Sequence, residues 1–316
     1  MEQLTDLKAI LHSKRANIYY LEKCRVMQKG GRVVYLTEQK VEKQYWNIPI
    51  ANTTVILLGT GTSITQAAVR MLASAGVLIG FTSGGGTPLL MGSEVEWLSP
   101  QSEYRPTEYI QGWLQFWFDE DKRLQAARQF QQTRIDYLIK VWSNDRDLQN
   151  EGFYIDDMDI DKALKGFSKQ IDDSNNVNEL LLVEAQLTRN LYKIAANRTR
   201  QKAFVREHGG NIADANGFLD HGNYLAYGLA ATTLWVLGIP HGFAVLHGKT
   251  RRGALVFDVA DLVKDALILP WAFICAKEEA SEQEFRQQCL QNFTRHKALD
   301  FMFNTIKELS LHGPQS

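Results

Sequence analysis

Cysteine is scarce in this 316-residue chain, and its placement argues against a thiolate metal site. The three cysteines, Cys24, Cys275 and Cys289, are an odd number, and no two have the CxxC spacing of a zinc site. This usage favours a reducing compartment. We therefore expect a cytoplasmic protein whose cysteines are small buried hydrophobic residues.

The sequence also lacks a signal-peptide core and a convincing membrane span. The start, M-E-Q-L-T-D-L-K, has no apolar run. Residues 222–239 carry no charged side chain, but they include Asn223, two tyrosines, two threonines and three glycines. We interpret this stretch as a buried core helix, and we expect no membrane partner.

A large charge of either sign is absent as well. The 35 basic and 36 acidic side chains give a net charge of −1. A nucleic-acid partner would therefore need a local basic surface. The hydrophobic content of 45% and charged content of 22% are typical of a soluble globular protein, and the length allows two domains.

The hydrophobic pattern predicts an α+β protein with two domains. Residues 1–97 form a small β-rich, sandwich-like domain, residues 98–107 a linker with two prolines, and residues 108–316 a larger all-α domain. In the first domain we expect a strand over 16–26, a tight turn at Q-K-G-G-R and a returning strand at V-V-Y-L-T. Short strands at T-T-V-I-L-L, V-L-I-G-F-T and P-L-L-M follow, and residues 64–75 have helical spacing.

Two regions of the chain look less regular. The glycines near 59–63 and 84–86 are expected in turns, because the first cluster lacks both the Gly-Lys-Ser/Thr ending of a phosphate loop and the third glycine of a dinucleotide site. Residues 154–178 are acidic and polar, and we expect a loop with a short helix there.

Three aspartates near the end of the stretch 244–265 suggest a site. If residues after Phe257 are helical, Asp258, Asp261 and Asp265 lie at i, i+3 and i+7 along one stripe, with His247 a short distance before them. A divalent cation would relieve their repulsion. Helix capping by Asp258 is an equally good reading of this stretch alone.

An acid also stands on the apolar face of a predicted helix over 177–196. Glu184 neighbours Leu180, Leu181 and Leu187 on that face. A buried carboxylate is costly unless it is paired or coordinated. It is therefore either a metal ligand supplied by a second helix or one partner of a core ion pair with an arginine.

Basic residues follow Glu184 and precede Asp258. A run of basic residues without acids is most often a solvent-exposed helix face. The run over 189–206, however, adjoins the candidate site and could bind the phosphate backbone of DNA. The candidate DNA-binding residues are Arg189, Lys193, Arg198, Arg200, Lys202, Arg206, Lys249, Arg251 and Arg252.

Four segments together resemble the CRISPR-associated integrases of spacer acquisition, the Cas-one family. They are E-A-Q-L-T-R-N-L-Y beginning at Glu184, N-Y-L-A-Y-G at Asn223, G-I-P-H-G-F-A-V-L-H-G containing His247, and A-L-V-F-D-V-A-D-L-V-K-D containing Asp258 and Asp261. Each segment alone is weak, but together they are specific. The β-rich start and helical remainder are also similar to the family's layout.

The resemblance implies a metal-dependent DNA endonuclease and integrase that inserts foreign-DNA spacers into a CRISPR array by phosphodiester transesterification. Glu184, His247 and Asp261 would hold Mg²⁺ or Mn²⁺, and Asp258 would support or share the site. Implied partners are double-stranded DNA (spacer precursor and repeat), a second copy of the chain that pairs through the N-terminal domain, and a small ferredoxin-like adaptation subunit. The N-terminal half is similar to the subgroup in which that subunit is fused to a helicase-nuclease.

Two other function classes remain open. A non-catalytic helical scaffold that binds DNA or protein would keep Glu184 in a core ion pair and would need no metal. A nucleotide-binding regulator would use residues 59–63.

Overall fold

The computed structural model describes residues 17–38, 43–87, 95–98, 107–201, 203–207, 214–248 and 253–314. Its contacts form two compact units. One contains the described residues up to Ile110 together with Trp235–Gly238, and the other contains Gln111–Leu234 and the described residues from Ile239 onward. The predicted α+β class is confirmed, because the strands precede an all-helical remainder. The predicted limits 1–97, 98–107 and 108–316 stay a prediction, and 99–106 lie outside the described residues.

The first unit contains two four-stranded sheets. One has the order β1-β5-β7-β8, in which β1, β5 and β7 are parallel and β8 is antiparallel to β7. The other has the order β4-β3-β2-β6, with antiparallel pairs β4–β3 and β3–β2 and a short parallel pair β2–β6. The elements are β1 Asn17–Leu21, β2 Cys24–Lys29, β3 Arg32–Glu38, β4 Lys43–Ile48, β5 Thr53–Leu58, β6 Ser63–Ile64, α1 Gln66–Ser74, β7 Leu78–Phe81 and β8 Glu96–Leu98.

One apolar cluster joins both sheets and α1. It includes Val26 and Val33 from the second sheet, Ile56 and Ile79 from the first, and Leu72 from α1, all at most 1% exposed. Burying alternate side chains of two sheets against each other is the basis of a sandwich-like core. This arrangement agrees with the predicted β-rich domain.

The tight turns were predicted well, but one strand was not. Gly30 and Gly31 have φ values of +57° and +73°, which confirms the β2–β3 hairpin turn, and Gly61 turns at +72°. The prediction of one strand over 16–26 was wrong, because Lys23 at φ +47° separates β1 from β2 and the two strands belong to different sheets. The predicted strand P-L-L-M, residues 88–91, lies outside the described residues.

The second unit is built from helices. Residues 154–178 were predicted as a loop and a short helix, which was wrong: α5 is 16 residues long. Its buried residues Ile160, Leu164, Phe167 and Ile171 recur at helical spacing beneath an acidic exterior. The helices that follow α1 in the described residues are α2 Thr107–Trp117, α3 Glu120–Asn144, α4 Arg146–Asn150, α5 Met158–Asp173, α6 Val177–Arg198, α7 Ala215–Leu237, α8 Ala254–Leu267, α9 Leu269–Lys277, α10 Glu282–Arg295 and α11 Ala298–His312.

Helix α8 is the most deeply buried element near the candidate site. Its sequence is apolar on nearly every face, and α3 packs along it, with the Trp142 indole donating to the Ala266 carbonyl at 3.1 Å. The predicted core helix at 222–239 is confirmed as α7. No helix in the described part of the chain is long and apolar enough to cross a membrane.

Candidate active site

Asp258 organises the loop that leads into α8. Its carboxylate accepts the backbone N–H groups of Val245 at 2.7 Å, Leu246 at 3.1 Å and His247 at 3.1 Å. Helix α8 begins after Gly253, which has φ +69°, so Asp258 is not the cap of its own helix. The interpretation of Asp258 as a helix cap was therefore wrong. This buried carboxylate instead accepts backbone N–H groups of the preceding loop that would otherwise lack a hydrogen-bond partner.

The same carboxylate fixes the ring of His247. His247 Nδ1 lies 2.7 Å from Asp258 Oδ1, so Nδ1 donates to the carboxylate, and in the neutral imidazole the lone pair lies on Nε2. Nε2 lies 3.7 Å from Asp261 Oδ2. Burial works to lower the pKa of His247, but the bond to Asp258 and the charges of Asp261, Asp258 and Glu184 outweigh it and raise the pKa above its usual value.

Asp261 contacts Lys264 as well as His247. The Lys264 ammonium forms an ion pair with Asp261 Oδ1 and lies 5.4 Å from the centre of the Tyr227 ring. Burial works to raise the pKa of Asp261, but Lys264, Arg134 and His247 lower it below its usual value. Asp261 is therefore held as a carboxylate in a buried position, at 3% exposure.

Arg134 of α3 joins α6 to α8. Its guanidinium donates to Glu184 Oε1 at 2.8 Å, Thr188 Oγ1 at 3.0 Å, Asp265 Oδ2 at 2.7 Å and Gln131 Oε1 at 3.2 Å. Burial works to lower its pKa, but Asp265, Glu184 and Asp261 raise it well above its usual value, so the side chain stays charged. The core ion pair that the sequence allowed for Glu184 is present.

The charges of this cluster do not balance. The cluster contains four carboxylates, those of Glu184, Asp258, Asp261 and Asp265, and two permanent cations, Arg134 and Lys264. Its net charge is therefore −2 before His247 is counted. Burial raises the pKa of Asp265, and its ion pair with Arg134 opposes that rise. A hard divalent cation fits this donor set, because it takes carboxylate oxygens together with an imidazole nitrogen.

No three His, Cys, Asp or Glu side chains converge closely enough to hold a metal ion within the described ranges. The geometry gives the reason. Glu184 is turned toward the guanidinium of Arg134, and Asp261 toward the ammonium of Lys264. The ligand set Glu184, His247 and Asp261 therefore stays a prediction.

The candidate DNA-binding residues do not form one surface around Glu184. Lys193 follows Glu184 by nine residues on α6, which places it about 180° around the helix. Arg198 pairs with Asp157 at 2.9 Å and with Asp159 at 2.7 Å. Acidic residues from another part of the chain therefore neutralise part of the basic segment 189–206. Arg206 forms an ion pair with Asp220. The side chains of Arg189 and Arg200 are exposed. Four of the candidates lie outside the described residues: Lys202, Lys249, Arg251 and Arg252.

Sequence reasoning missed Arg134 and Lys264 as members of the cluster. A signal for Arg134 existed, because it shares an i, i+3, i+4, i+7 face with Tyr137, Leu138 and Val141, which are all buried. A buried acid such as Glu184 requires a cation, and an arginine on an apolar face supplies one. No such signal marked Lys264 in the sequence.

The sequence model of the family described as CRISPR associated protein Cas1 matches residues 18–299. The chain belongs to the Cas1 family. The CRISPR-associated endonuclease Cas1 of Pseudomonas aeruginosa (strain UCBPP-PA14) is 58% identical over 97% of this chain and 96% of its own length. The Cas1 endonuclease of Pectobacterium atrosepticum is 56% identical over 97% of this chain and 95% of its own length. This Cas1 chain is accordingly an enzyme, a CRISPR-associated endonuclease.

Solved structures share the fold of this Cas1 chain at low sequence identity. The TtCas1–DNA complex superposes with a TM-score of 0.64 at 20% identity and covers 93% of this chain and 96% of that one. A casposase bound to its integration product superposes with a TM-score of 0.59 at 13% identity, covering 93% and 94%. These likenesses establish the fold of the two units.

Proposed function

We propose that this Cas1 chain is a divalent-metal-dependent DNA endonuclease and integrase that inserts spacer DNA into a CRISPR array by phosphodiester transesterification. The observation that carries the proposal is the buried cluster of four carboxylates and one histidine, with two negative charges left over after Arg134 and Lys264 are counted. This excess of negative charge favours the binding of a divalent metal ion. The metal ion would in turn bind the phosphate of the DNA.

Glu184, Asp261 and His247, through Nε2, would hold Mg²⁺ or Mn²⁺. When bound, the ion would polarise a phosphoryl oxygen and stabilise charge on the attacking or leaving oxygen. Asp258 does not ligate in this proposal. It positions His247, because its oxygens already accept three backbone N–H groups and the imidazole N–H.

The chain's own residues supply orientation and low polarity around the reaction. Phe257 and Tyr227 pack edge to face at 4.8 Å beside Lys264, and Phe257 lies 6.3 Å from the His247 ring, centre to centre. These rings limit water around one side of the imidazole and so strengthen its electrostatic contacts. The attacking group is a DNA 3′-hydroxyl in joining and water in simple nicking.

The partners follow from the family and from exposed basic residues. Double-stranded DNA would contact Arg189, Lys193 and Arg200 through its backbone, which positions DNA without reading its sequence. A structure with the same fold contains DNA, and another contains an integration product. A second copy of the chain pairing through the N-terminal unit, and a small ferredoxin-like subunit fused to a helicase-nuclease, complete the proposed assembly.

A supercoiled-plasmid assay with a labelled duplex tests the proposal. We expect nicking and joining by the wild-type chain in Mg²⁺ or Mn²⁺, none in EDTA, and a loss of about 10²-fold or more in Glu184→Gln and in His247→Ala. Glu179→Gln is the matched control, because Glu179 is an exposed acid on the same helix.

Full activity of Glu184→Gln or His247→Ala in Mg²⁺ would remove the catalytic assignment. A wild-type chain that binds DNA and folds normally, yet shows no metal-dependent cleavage or joining with its partner present, would favour the non-catalytic scaffold instead. The Arg134–Glu184 ion pair is common to both alternatives, so the assay is what separates them.

A further inference from the structure

A small polar cavity lies beside the carboxylate cluster. Its volume is about 50 Å³, which is room for one or two waters, or for a phosphate oxygen rather than a nucleotide. It therefore has the size to accept one oxygen of a phosphodiester whose bulk stays outside. It is lined by Arg134, Glu184, Thr188, Tyr192, Leu219, Asn223, Lys264, Asp265 and Leu269.

The two cations of this cavity differ in their free hydrogen-bonding capacity. Arg134 uses all five of its N–H donors, on Glu184, Asp265, Thr188 and Gln131, and its side chain is 3% exposed. It has nothing left to offer a ligand. Lys264 has three donors and pairs with one carboxylate among the described residues, that of Asp261, while its side chain remains 20% exposed.

Asn223 of α7 provides an independent observation. Its amide lines the same cavity and makes no hydrogen bond with any residue of the described ranges. It is half-buried, so its two N–H donors face the cavity or solvent. An ammonium and an amide with unused donors on one small cavity form a site for an anionic oxygen.

The neighbouring acids do not forbid an anion there. Glu184 and Asp265 both line the cavity, but both are bonded to the guanidinium of Arg134. Their negative charge is therefore offset by a guanidinium that lines the same cavity. Lys264 remains as the cation with donors left to meet an incoming phosphate.

We propose that Lys264, assisted by Asn223, binds a non-bridging oxygen of the phosphodiester at the reacting end of the DNA. Lys264 acts through its fixed charge and transfers no proton, so the ammonium stabilises the phosphate as charge builds on it. This inference rests on the proposed function, since it names a DNA contact for that same site.

The DNA affinities of two variants, compared in EDTA, test the contact without any catalysis. The comparison is between Asp261→Asn and Asp261→Asn plus Lys264→Met, because in this background the loss of Lys264 breaks no ion pair and leaves no unpaired carboxylate at position 261. Affinity for a fluorescent branched duplex is measured by anisotropy from about 0.05 to 0.2 M salt. If Lys264 touches phosphate, the double variant binds about tenfold more weakly than Asp261→Asn near 0.1 M salt, and its salt slope falls by about one.

The competing role for Lys264 is to neutralise Asp261. In that case Lys264→Met has no effect once Asp261 is already neutral, so equal affinities and equal salt slopes overturn the inference. Asn223→Ala in the same background should weaken binding without changing the salt slope, since the amide carries no charge. Lys277→Met, which breaks an ammonium–carboxylate pair with Glu151 at 2.7 Å, is the matched control and should leave affinity unchanged.

The joining assay separates the two failures. A wild-type chain that joins DNA in Mn²⁺, combined with equal DNA affinities and salt slopes of the two variants, overturns only the role of Lys264. A wild-type chain that neither binds nor joins DNA overturns the proposed function and this inference together.

Discussion

Asp258 is the residue whose role the geometry defines most narrowly. It accepts backbone N–H groups from the loop before α8 and also holds His247 Nδ1. A carboxylate behind a ligating histidine fixes the tautomer and raises its basicity. We therefore expect Asp258→Asn to weaken Mn²⁺ binding about 10- to 100-fold, as measured by a Mn²⁺ titration followed by electron paramagnetic resonance.

Asp145→Asn is the control for that experiment. Asp145 is also fully buried, accepts the backbone N–H groups of Asp147 and Leu148, and contacts His296 Nε2 at 2.8 Å. It makes contacts of the same kind, with backbone N–H groups and one histidine, outside the carboxylate cluster, so its loss should cost stability and leave Mn²⁺ affinity intact. Equal Mn²⁺ affinities for the wild type and Asp258→Asn would show that Asp258 has no positioning role.

Arg134 gives a stability prediction at the same scale. Removing it leaves Glu184 and Asp265 without their buried cation. We expect Arg134→Met to lower the free energy of unfolding by about 3–5 kcal/mol in urea denaturation. Arg198→Met, which breaks the more exposed pairs with Asp157 and Asp159, should cost about 1 kcal/mol or less. Similar losses for the two variants would contradict this account of the buried network.

Part of the site could be predicted residue by residue. Glu184 was recognisable because an acid on an apolar helical face requires a partner, and the aspartate stripe was recognisable from its spacing. The partners themselves, Arg134 and Lys264, depend on which helices pack together. Sequence periodicity gives the buried face of each helix but not its neighbour.

At the scale of elements, two glycines in helices have opposite roles. A Cβ on Gly112 in α2 would lie 1.8 Å from the Ser310 carbonyl oxygen of α11, so this glycine permits close helix packing. A Cβ on Gly166 in α5 would meet nothing within 4 Å, and the residue is exposed. Only the first glycine is required by the fold.

The same substitution should therefore have opposite effects at the two positions. Gly112→Ala is expected to destabilise the protein by about 1–3 kcal/mol or more through overpacking. Gly166→Ala is expected to stabilise it by about 0.5–1 kcal/mol, because alanine loses less backbone entropy in a helix. Thermal unfolding of both variants checks this, and a stabilised Gly112→Ala would mean that α2 and α11 are not packed as described.

The prediction of secondary structure was wrong for helix α5, because its many polar residues obscured the apolar residues of its buried face. Helix α5 carries Asp159, Asp161, Asp172 and Asp173, and this composition resembled a loop, although Ile160, Leu164, Phe167 and Ile171 keep a helical period. The single strand over 16–26 failed for another reason. Lys23 adopts a positive φ, which a lysine rarely does and which no residue type in that stretch indicates.

At the scale of the whole molecule, the two-unit layout and the family were accessible from the sequence, because composition changes along the chain and four motifs occur in a fixed order. The net charge of −1 gives no general attraction to DNA. Affinity must then depend on a few local contacts, which the sequence cannot assign. Lys193, for example, lies on the face of α6 away from Glu184.

The central claim is that Glu184, His247 and Asp261 share one divalent cation. The most direct measurement is anomalous scattering at the manganese edge from crystals of the full chain grown with Mn²⁺. We predict one peak bonded to the Glu184 carboxylate, His247 Nε2 and the Asp261 carboxylate at about 2.0–2.3 Å. A fully occupied peak elsewhere, or none at this cluster while Glu184 stays on Arg134 in saturating Mn²⁺, would contradict the account.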